Sequence, residues 1–437
     1  MASIKVCVAG LWHLGSVTAA CLAEKGFEVT GWDPDTAALK LLRQGKAPIY
    51  EPALDELLAE GLHSGRLSFS AEASVALKNC RYLWICFDTP VDAKDRADVA
   101  WVKEQATALF KHLAPSTAVI VSSQLPVGTS AEFEAALATR FKKDRIPLCC
   151  SPENLRLGRA VGIFQNPDRI VAGIRQASDQ TVFAPLFSAL SERIEWMKTE
   201  SAEMTKHAIN SYLAASVVFA NELAVICESV GADAREVERG LKTESRIGPK
   251  AYLKPGAAFA GGTLARDVQS LLLLSQRHKL PSRLLHSVLE SNEQHKEWTK
   301  IKLKDNLKTL RKKSVAVLGL TYKMGTDTLR RSWAVELCRW LHGQGAQVQA
   351  YDPQLKGLPA ELRSLVSLKS QMAEAIAGCD ALVICADHPE IRKIERKHIE
   401  QLRRPLIIDP NACLEGTVIE SLRSVHYFAV GYTVNRT

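Results

Sequence analysis

Three groups of residues in this chain have the types and spacing for chemistry. The first is the stretch Pro255–Asp267 (PGAAFAGGTLARD), with Gly256, Gly261, Gly262, Thr263, Arg266 and Asp267, running into an apolar helical pattern at Val268–Leu274. Glycine-rich backbone leading into a helix start suits close approach to a ligand, because it lacks Cβ atoms and presents backbone N–H groups. Phe259 reads as exposed. Asp267 reads either as a ligand-facing acid or as a helix cap. The second group is Lys206 and Asn210, one helical turn apart and so on one face. A lysine beside an amide can polarise a reacting oxygen, although a snorkelling lysine on an amphipathic helix leaves the same pattern. The third is Gly10-Leu-Trp-His-Leu-Gly15, followed by Asp33.

The elements around the third group give it a meaning. Ile4–Ala9 is a β-branched run that ends in Gly10. A helical pattern follows Gly15, and a second strand-like run, Phe27–Trp32, ends at Asp33. Strand, glycine turn, helix, strand and acid is the order of a dinucleotide-binding unit, in which the pyrophosphate sits on a helix N-terminus and the acid holds the ribose hydroxyls. An acid at that point favours NAD over NADP. Gly10, Trp12, His13, Leu14, Gly15 and Asp33 are therefore the candidate cofactor residues. Trp12 stands where the second glycine of the fingerprint would be, so its indole must point aside or displace the cofactor; a related domain that no longer binds NAD is the other reading.

Further strands are expected at Arg81–Phe87, Ala118–Ser122 and Pro147–Cys150, each ending in a polar or proline-bearing loop. That repetition suits an open parallel sheet with ligands beyond the strand carboxyl ends. From about residue 201 the pattern turns helical, with a long run over Glu203–Val230. Beyond the charged connector, runs at Ser314–Leu320, Gln347–Tyr351, Ala381–Cys385 and Leu406–Ile408 predict a second sheet. The fold expected is α/β: two Rossmann-like doubly wound domains, 1–200 and 301–437, joined by a central helical domain, 201–300.

Bulk properties narrow the function. The chain has 437 residues, 46% of them apolar and 24% charged, with a net charge of +8. That charge suits an anionic small molecule and does not demand nucleic acid. The basic segment Lys300–Lys313 alternates with apolar residues, as a solvated helix face does. Eleven cysteines lack zinc-type spacing, so no metal is expected, and buried thiols in a reducing cytoplasm fit better than disulfides. No signal peptide is apparent. The apolar stretch Ala208–Val230 is interrupted by Asn210, Asn221, Glu222 and Glu228, which argues for a buried helix and against a membrane span.

Several strings together resemble the UDP-glucose/GDP-mannose dehydrogenase family over nearly the whole chain. They are PIYEP at Pro48–Pro52, DTP at Asp88–Pro90, PVGT at Pro126–Thr129, NPDRIV at Asn166–Val171, SRIGP at Ser245–Pro249, and the GLTYK…TD…R run ending at Arg330. The resemblance implies oxidation of a nucleotide-sugar alcohol to a carboxylate with two NAD⁺, through a thiohemiacetal and a thioester on a cysteine of the glycine-rich loop. It gives Lys206 the stabilisation of developing charge on the sugar oxygen, Asn210 a place beside it, Asp267 the positioning of water and Glu153 the hydrolytic step. It puts Thr89, Gln124 and Arg330 with the cofactor. It puts Leu155, Tyr252, Leu253, Lys254, Gly261 and Lys323 with the substrate, and Arg246 in a neighbouring subunit's site. A homodimer or higher homo-oligomer built on the central helix is implied as well.

The departures fall on the same places. Aligned backwards from Asp267, the nucleophilic cysteine becomes Thr263, a much weaker nucleophile than a thiolate. The threonine of the family's STVP string is Gln124, a glutamate after its PEF string is Leu157, and the arginine of its DGR string is Asn411. The expectation is an NAD-dependent nucleotide-sugar dehydrogenase with an incomplete or altered oxidation. The alternatives are a full 6-dehydrogenase using another route, with Cys149 or Cys150 as a substitute thiol, and a non-catalytic homologue that binds nucleotide sugar.

Overall fold

A computed structural model describes residues 4–90, 98–152, 155–260, 262–322, 327–422 and 424–436. Glu153, Gly261 and Lys323 lie outside the described residues. The chain divides into two compact units, 1–207 and 208–437.

The first unit carries eight strands: β1 Lys5–Ala9, β2 Glu28–Trp32, β3 Leu67–Ser70, β4 Tyr82–Ile85, β5 Ala118–Val121, β6 Leu148–Cys150, β7 Ile170–Ile174 and β8 Ile194–Lys198. They form one sheet in the order β3-β2-β1-β4-β5-β6-β7-β8. All neighbours are parallel except β6 and β7. The reversal of strand order between β1 and β4 is the point where a doubly wound sheet opens a crevice for ligands. The central strands are apolar on both faces because helices cover both, and the two faces have separate cores. One is built on Val6, Val8, Leu22 and Trp84, the other on Cys7, Ala9, Leu83 and Phe133.

The second unit repeats the plan with β9 Ser314–Leu318, β10 Gln347–Tyr351, β11 Ser367–Leu368, β12 Ala381–Ile384, β13 Leu406–Ile408, β14 Val425–Ala429 and β15 Tyr432–Arg436. Their order is β11-β10-β9-β12-β13-β14-β15, with β14 and β15 antiparallel. The expected pair of doubly wound sheets is therefore present, each with one antiparallel step. Strands β3, β7, β8, β11, β14 and β15 were not anticipated. They lie towards the sheet edges, where most are short or half-exposed runs without a continuous apolar signal; β7 is the exception, apolar and largely buried.

The long helix is Thr199–Val230, and the unit boundary falls within it. By length and composition it would qualify to cross a bilayer. Its polar residues instead have partners in the fold. In the first unit Glu203 accepts from the Gly128 and Ser130 amides at 2.7 and 2.8 Å. In the second, Asn221 accepts from Gly256 N at 2.9 Å and Glu228 accepts from Trp298 Nε1 at 2.9 Å. The glycine-rich stretch leads into the helix Thr263–Arg277, followed by Arg283–His295 and Glu297–Leu307. Phe259, expected to be exposed, packs against the small core of Ala214, Val218, Val268, Leu272 and Val288.

Candidate active site

In the first unit the site grows from the turn after β1. Gly10 has φ +89°, and a Cβ there would lie 2.6 Å from the Phe87 backbone; a Cβ on Gly15 would lie 1.6 Å from the Gly10 carbonyl oxygen. Only glycine lets this turn close so tightly, and closure puts the start of the helix His13–Glu24 directly beyond the strand. Asp33 Oδ2 accepts from Leu11 N at 2.6 Å and Asp88 Oδ2 from Leu14 N at 3.3 Å, which fixes the turn from two sides. Burial pushes the Asp33 carboxyl up, against the pull of the Asp35 and Leu11 amides. Trp12 is 50% exposed and belongs to neither core of the sheet. The turn, the helix start and Asp33 fit a dinucleotide. His13 is held by Glu51, whose side chain is fully buried, at 2.8 Å. Glu51 also accepts from the Gly158 and Ala160 amides, both at 2.8 Å.

The next strand ends add the remaining candidates of this unit. Thr89 Oγ1 donates to the Gln124 carbonyl at 2.9 Å, which joins the loops after β4 and β5. A cavity of about 20 Å³ beyond β5 and β6 is lined by Ser123, Gln124, Ser130, Cys150, Glu203 and Lys206. Lys206 thus lines a small recess at the strand ends. Leu155 packs at the edge of the first core. Cys149 and Cys150 are buried, and burial pushes both thiols well up, so neither is poised as a thiolate.

In the second unit Asn210 Nδ2 donates to Asp267 Oδ2, and Asp267 is fully buried within the first turns of its helix. That excludes the capping role considered for Asp267; the residue at the cap is Gly262. Thr263 is exposed at the first position of the same helix, one turn before Asp267. A Cβ on Gly262 would lie 2.2 Å from the Tyr322 hydroxyl, so the loop closes tightly against the segment after β9.

The loop before this helix is bound by side chains to which the sequence reading gave no such role. Gly256 N donates to Asn221, Ala257 N to Asn411 and Phe259 N to Asn292, each at 2.9 Å. Asn292 Nδ2 donates to the Phe259 carbonyl, also at 2.9 Å. Only Asn411 carried a signal, as a departure from the resembled family. Isolated asparagines on helices look like ordinary surface residues until the fold shows what they face. Tyr252 is 60% exposed, Lys254 is exposed and Leu253 is half-buried. Arg246 has its side chain 86% exposed and paired to Glu244 at 2.9 Å. Arg330 is exposed just before the helix Trp333–Gly343. Among the described residues no cluster of metal-ligating side chains is present.

Comparison with known proteins accounts for most of the chain. Residues 4–191 match the NAD binding domain of the UDP-glucose/GDP-mannose dehydrogenase family, residues 200–294 its central domain and residues 316–416 its UDP binding domain. UDP-glucose 6-dehydrogenase TuaD of Bacillus subtilis (strain 168) is 31% identical over 409 residues, covering 93% of this chain and 88% of that one. UDP-glucose 6-dehydrogenase of Rhizobium meliloti (strain 1021) is 31% identical over 415 residues, covering 93% and 94%. A solved UDP-glucose dehydrogenase from Pyrobaculum islandicum superposes with a TM-score of 0.87 at 28% identity, over 98% of each chain.

Proposed function

The chain belongs to the UDP-glucose/GDP-mannose dehydrogenase family, and from that premise we propose the reaction it carries out. It is an NAD-dependent oxidoreductase acting on the CH–OH group of a nucleotide sugar, and its substrate is a UDP-sugar. Bound NAD⁺ supplies the hydride acceptor. Gly10, His13, Leu14 and Gly15 form the turn that receives the pyrophosphate, and Asp33 faces the ribose. Lys206 places a cation by the substrate oxygen that turns negative as the C–H bond breaks, where a fixed charge acts most strongly. Asn210 and Asp267 act as one hydrogen-bonded unit that orients the reacting hydroxyl.

Thr263 takes the position that the resemblance assigns to the nucleophilic cysteine. Without a thiolate the covalent capture of an aldehyde is lost, so the reaction stops after one hydride or returns it in a redox-neutral conversion. The observation that carries this reading is that all eleven cysteines are buried. None is exposed to substitute for the missing thiol.

The test is the ratio of NADH to product with a panel of UDP-sugars. At most one NADH per substrate is expected; two NADH with an acid product would reject the altered reaction. Thr263→Cys should then add the second NADH. Lys206→Ala should lower kcat by about 10²–10³-fold. Full oxidation through a hydrated aldehyde is the competing route, and it predicts two NADH without any thiol.

Assembly is proposed as a homodimer through the outer face of the long helix. Tyr212, Phe219 and Ile226 recur every seven residues there and are 72%, 53% and 57% exposed. Arg246 projects freely enough to complete a neighbour's site. Light scattering should give a dimer mass, and Phe219→Glu should shift it to monomer. A cytoplasmic setting is proposed from the buried, unbridged thiols.

A further inference from the structure

We propose that Asn221, Asn292, Asn411 and His295 are positioning residues that hold the Gly256–Phe259 backbone in its working arrangement, with Asn411 tying the loop to the segment after β13. The geometry is a set of side chains doing what a neighbouring strand would do. Gly256 N, Ala257 N and Phe259 N find the amide oxygens of Asn221, Asn411 and Asn292, each at 2.9 Å. The Gly256 carbonyl accepts from His295 Nε2 and the Phe259 carbonyl from Asn292 Nδ2, again at 2.9 Å. Asn292 both donates and accepts, as a peptide group does. Glycine is required at 256 because a Cβ there would lie 2.6 Å from Asn411 Oδ1.

The clamp comes from separate parts of the second unit. Asn221 stands on the long helix, Asn292 and His295 on Arg283–His295, and Asn411 beyond β13. The loop it holds runs directly into the helix that carries Thr263 and Asp267. A shift of this backbone therefore moves both reacting positions, and sub-ångström placement is what such chemistry depends on. The clamp is also uncharged: three amides and an imidazole that burial keeps towards its neutral form. Amides can bind backbone N–H groups here without adding negative charge beside an anionic substrate, which carboxylates would do. Asn411 stands at the position of the arginine in the resembled family's DGR string, and its oxygen is engaged by Ala257. It shapes the loop and is no charge contact to the nucleotide sugar.

The kinetic part of the test rests on the dehydrogenase reading; amide exchange does not. Asn411 acts through its oxygen alone, so Asn411→Asp keeps the acceptor and Asn411→Leu removes it. Asn411→Leu should raise hydrogen exchange in the peptide spanning 256–259 by about tenfold or more, leaving a buried N–H without a partner. With UDP-glucose and NAD⁺ it should lower kcat by about 10–100-fold while KM for UDP-glucose moves by less than about threefold. Asn411→Asp, which keeps the acceptor but adds a negative charge, should restore protection of the 256–259 amides. Unchanged exchange in Asn411→Leu would overturn the proposal. So would a rise in KM with kcat intact, the mark of a substrate contact, or an aspartate variant whose 256–259 amides exchange as fast as those of the leucine one. If the wild-type chain turns over no UDP-sugar, the dehydrogenase reading fails, and the exchange results alone decide on the clamp.

Discussion

The two sheets wind in the same order and begin in the same way, yet only one is built for a dinucleotide. After β1 and after β9 a glycine takes positive φ, Gly10 at +89° and Gly319 at +84°, and its N–H donates across to the neighbouring strand's end, to Trp32 and Tyr351, both at 2.9 Å. Each neighbouring strand is followed by an aspartate turned back onto the glycine loop. The difference lies in what comes next. Asp33 takes one amide of its loop, Leu11 N, and is only half-buried. Asp352 is 4% exposed and accepts from Leu320 N, Thr321 N and Thr321 Oγ1 at 2.7, 2.8 and 3.0 Å. In the first sheet the helix starts at His13, immediately beyond the turn; in the second it starts at Trp333, after a long excursion. A helix N-terminus at the turn with an accessible acid makes a pyrophosphate and ribose site. A fully engaged acid with a displaced helix makes a brace.

That contrast can be broken from either side. Asp352→Ala should have the largest effect, because several buried donors lose their acceptor: urea unfolding of the second unit should fall by about 3–5 kcal/mol, with NAD⁺ affinity unchanged. Calorimetry should show the opposite for Gly15→Ala. Its Cβ meets the Gly10 carbonyl, so NAD⁺ affinity should drop by about a hundredfold, or about 2.7 kcal/mol, while UDP binding persists. If Gly15→Ala weakened UDP equally, the turn would be a general scaffold and not a cofactor site. Asp33→Ala should cost about tenfold in NAD⁺ affinity and narrow the preference over NADP⁺. Titrating both cofactors into one preparation would settle it.

The smallest expected effect concerns pH. The loops of the first unit are held by carboxylates, such as Glu51 on the Gly158 and Ala160 amides, whereas the glycine-rich loop is held by amides and His295. Burial holds the His295 ring below the ordinary value of 6.5, against its bond to Gly256 and the charge of Glu228. The native state therefore stays neutral where the unfolded chain takes up a proton. This contribution to stability is present above pH 6.5 and is lost as pH falls from there through the depressed native value. Stability of the second unit should decline between about pH 7 and pH 5 by about 1 kcal/mol more in the wild type than in His295→Gln, read by urea titration at each pH. An equal decline in both would remove His295 as the cause.

Much of this molecule was decided locally. The runs at β1, β4, β5 and β9 are largely apolar and buried because helices cover both faces, and such runs declare themselves in sequence. Gly10, Gly15 and Asp33 are equally local, since one turn and the next strand suffice to define a dinucleotide-binding unit. The free thiols follow from their apolar surroundings. Tertiary structure decided the rest, for a physical reason: a polar side chain's partner depends on what the fold brings opposite it. Asp267 could be read as a cap or as an acid until Asn210 stood beside it. Phe259 looked exposed until the glycine loop turned inward onto Val268 and Leu272. Glu203, Asn292 and His295 gave no sign of function in sequence, because backbone groups far along the chain are their partners and those groups have no letter of their own.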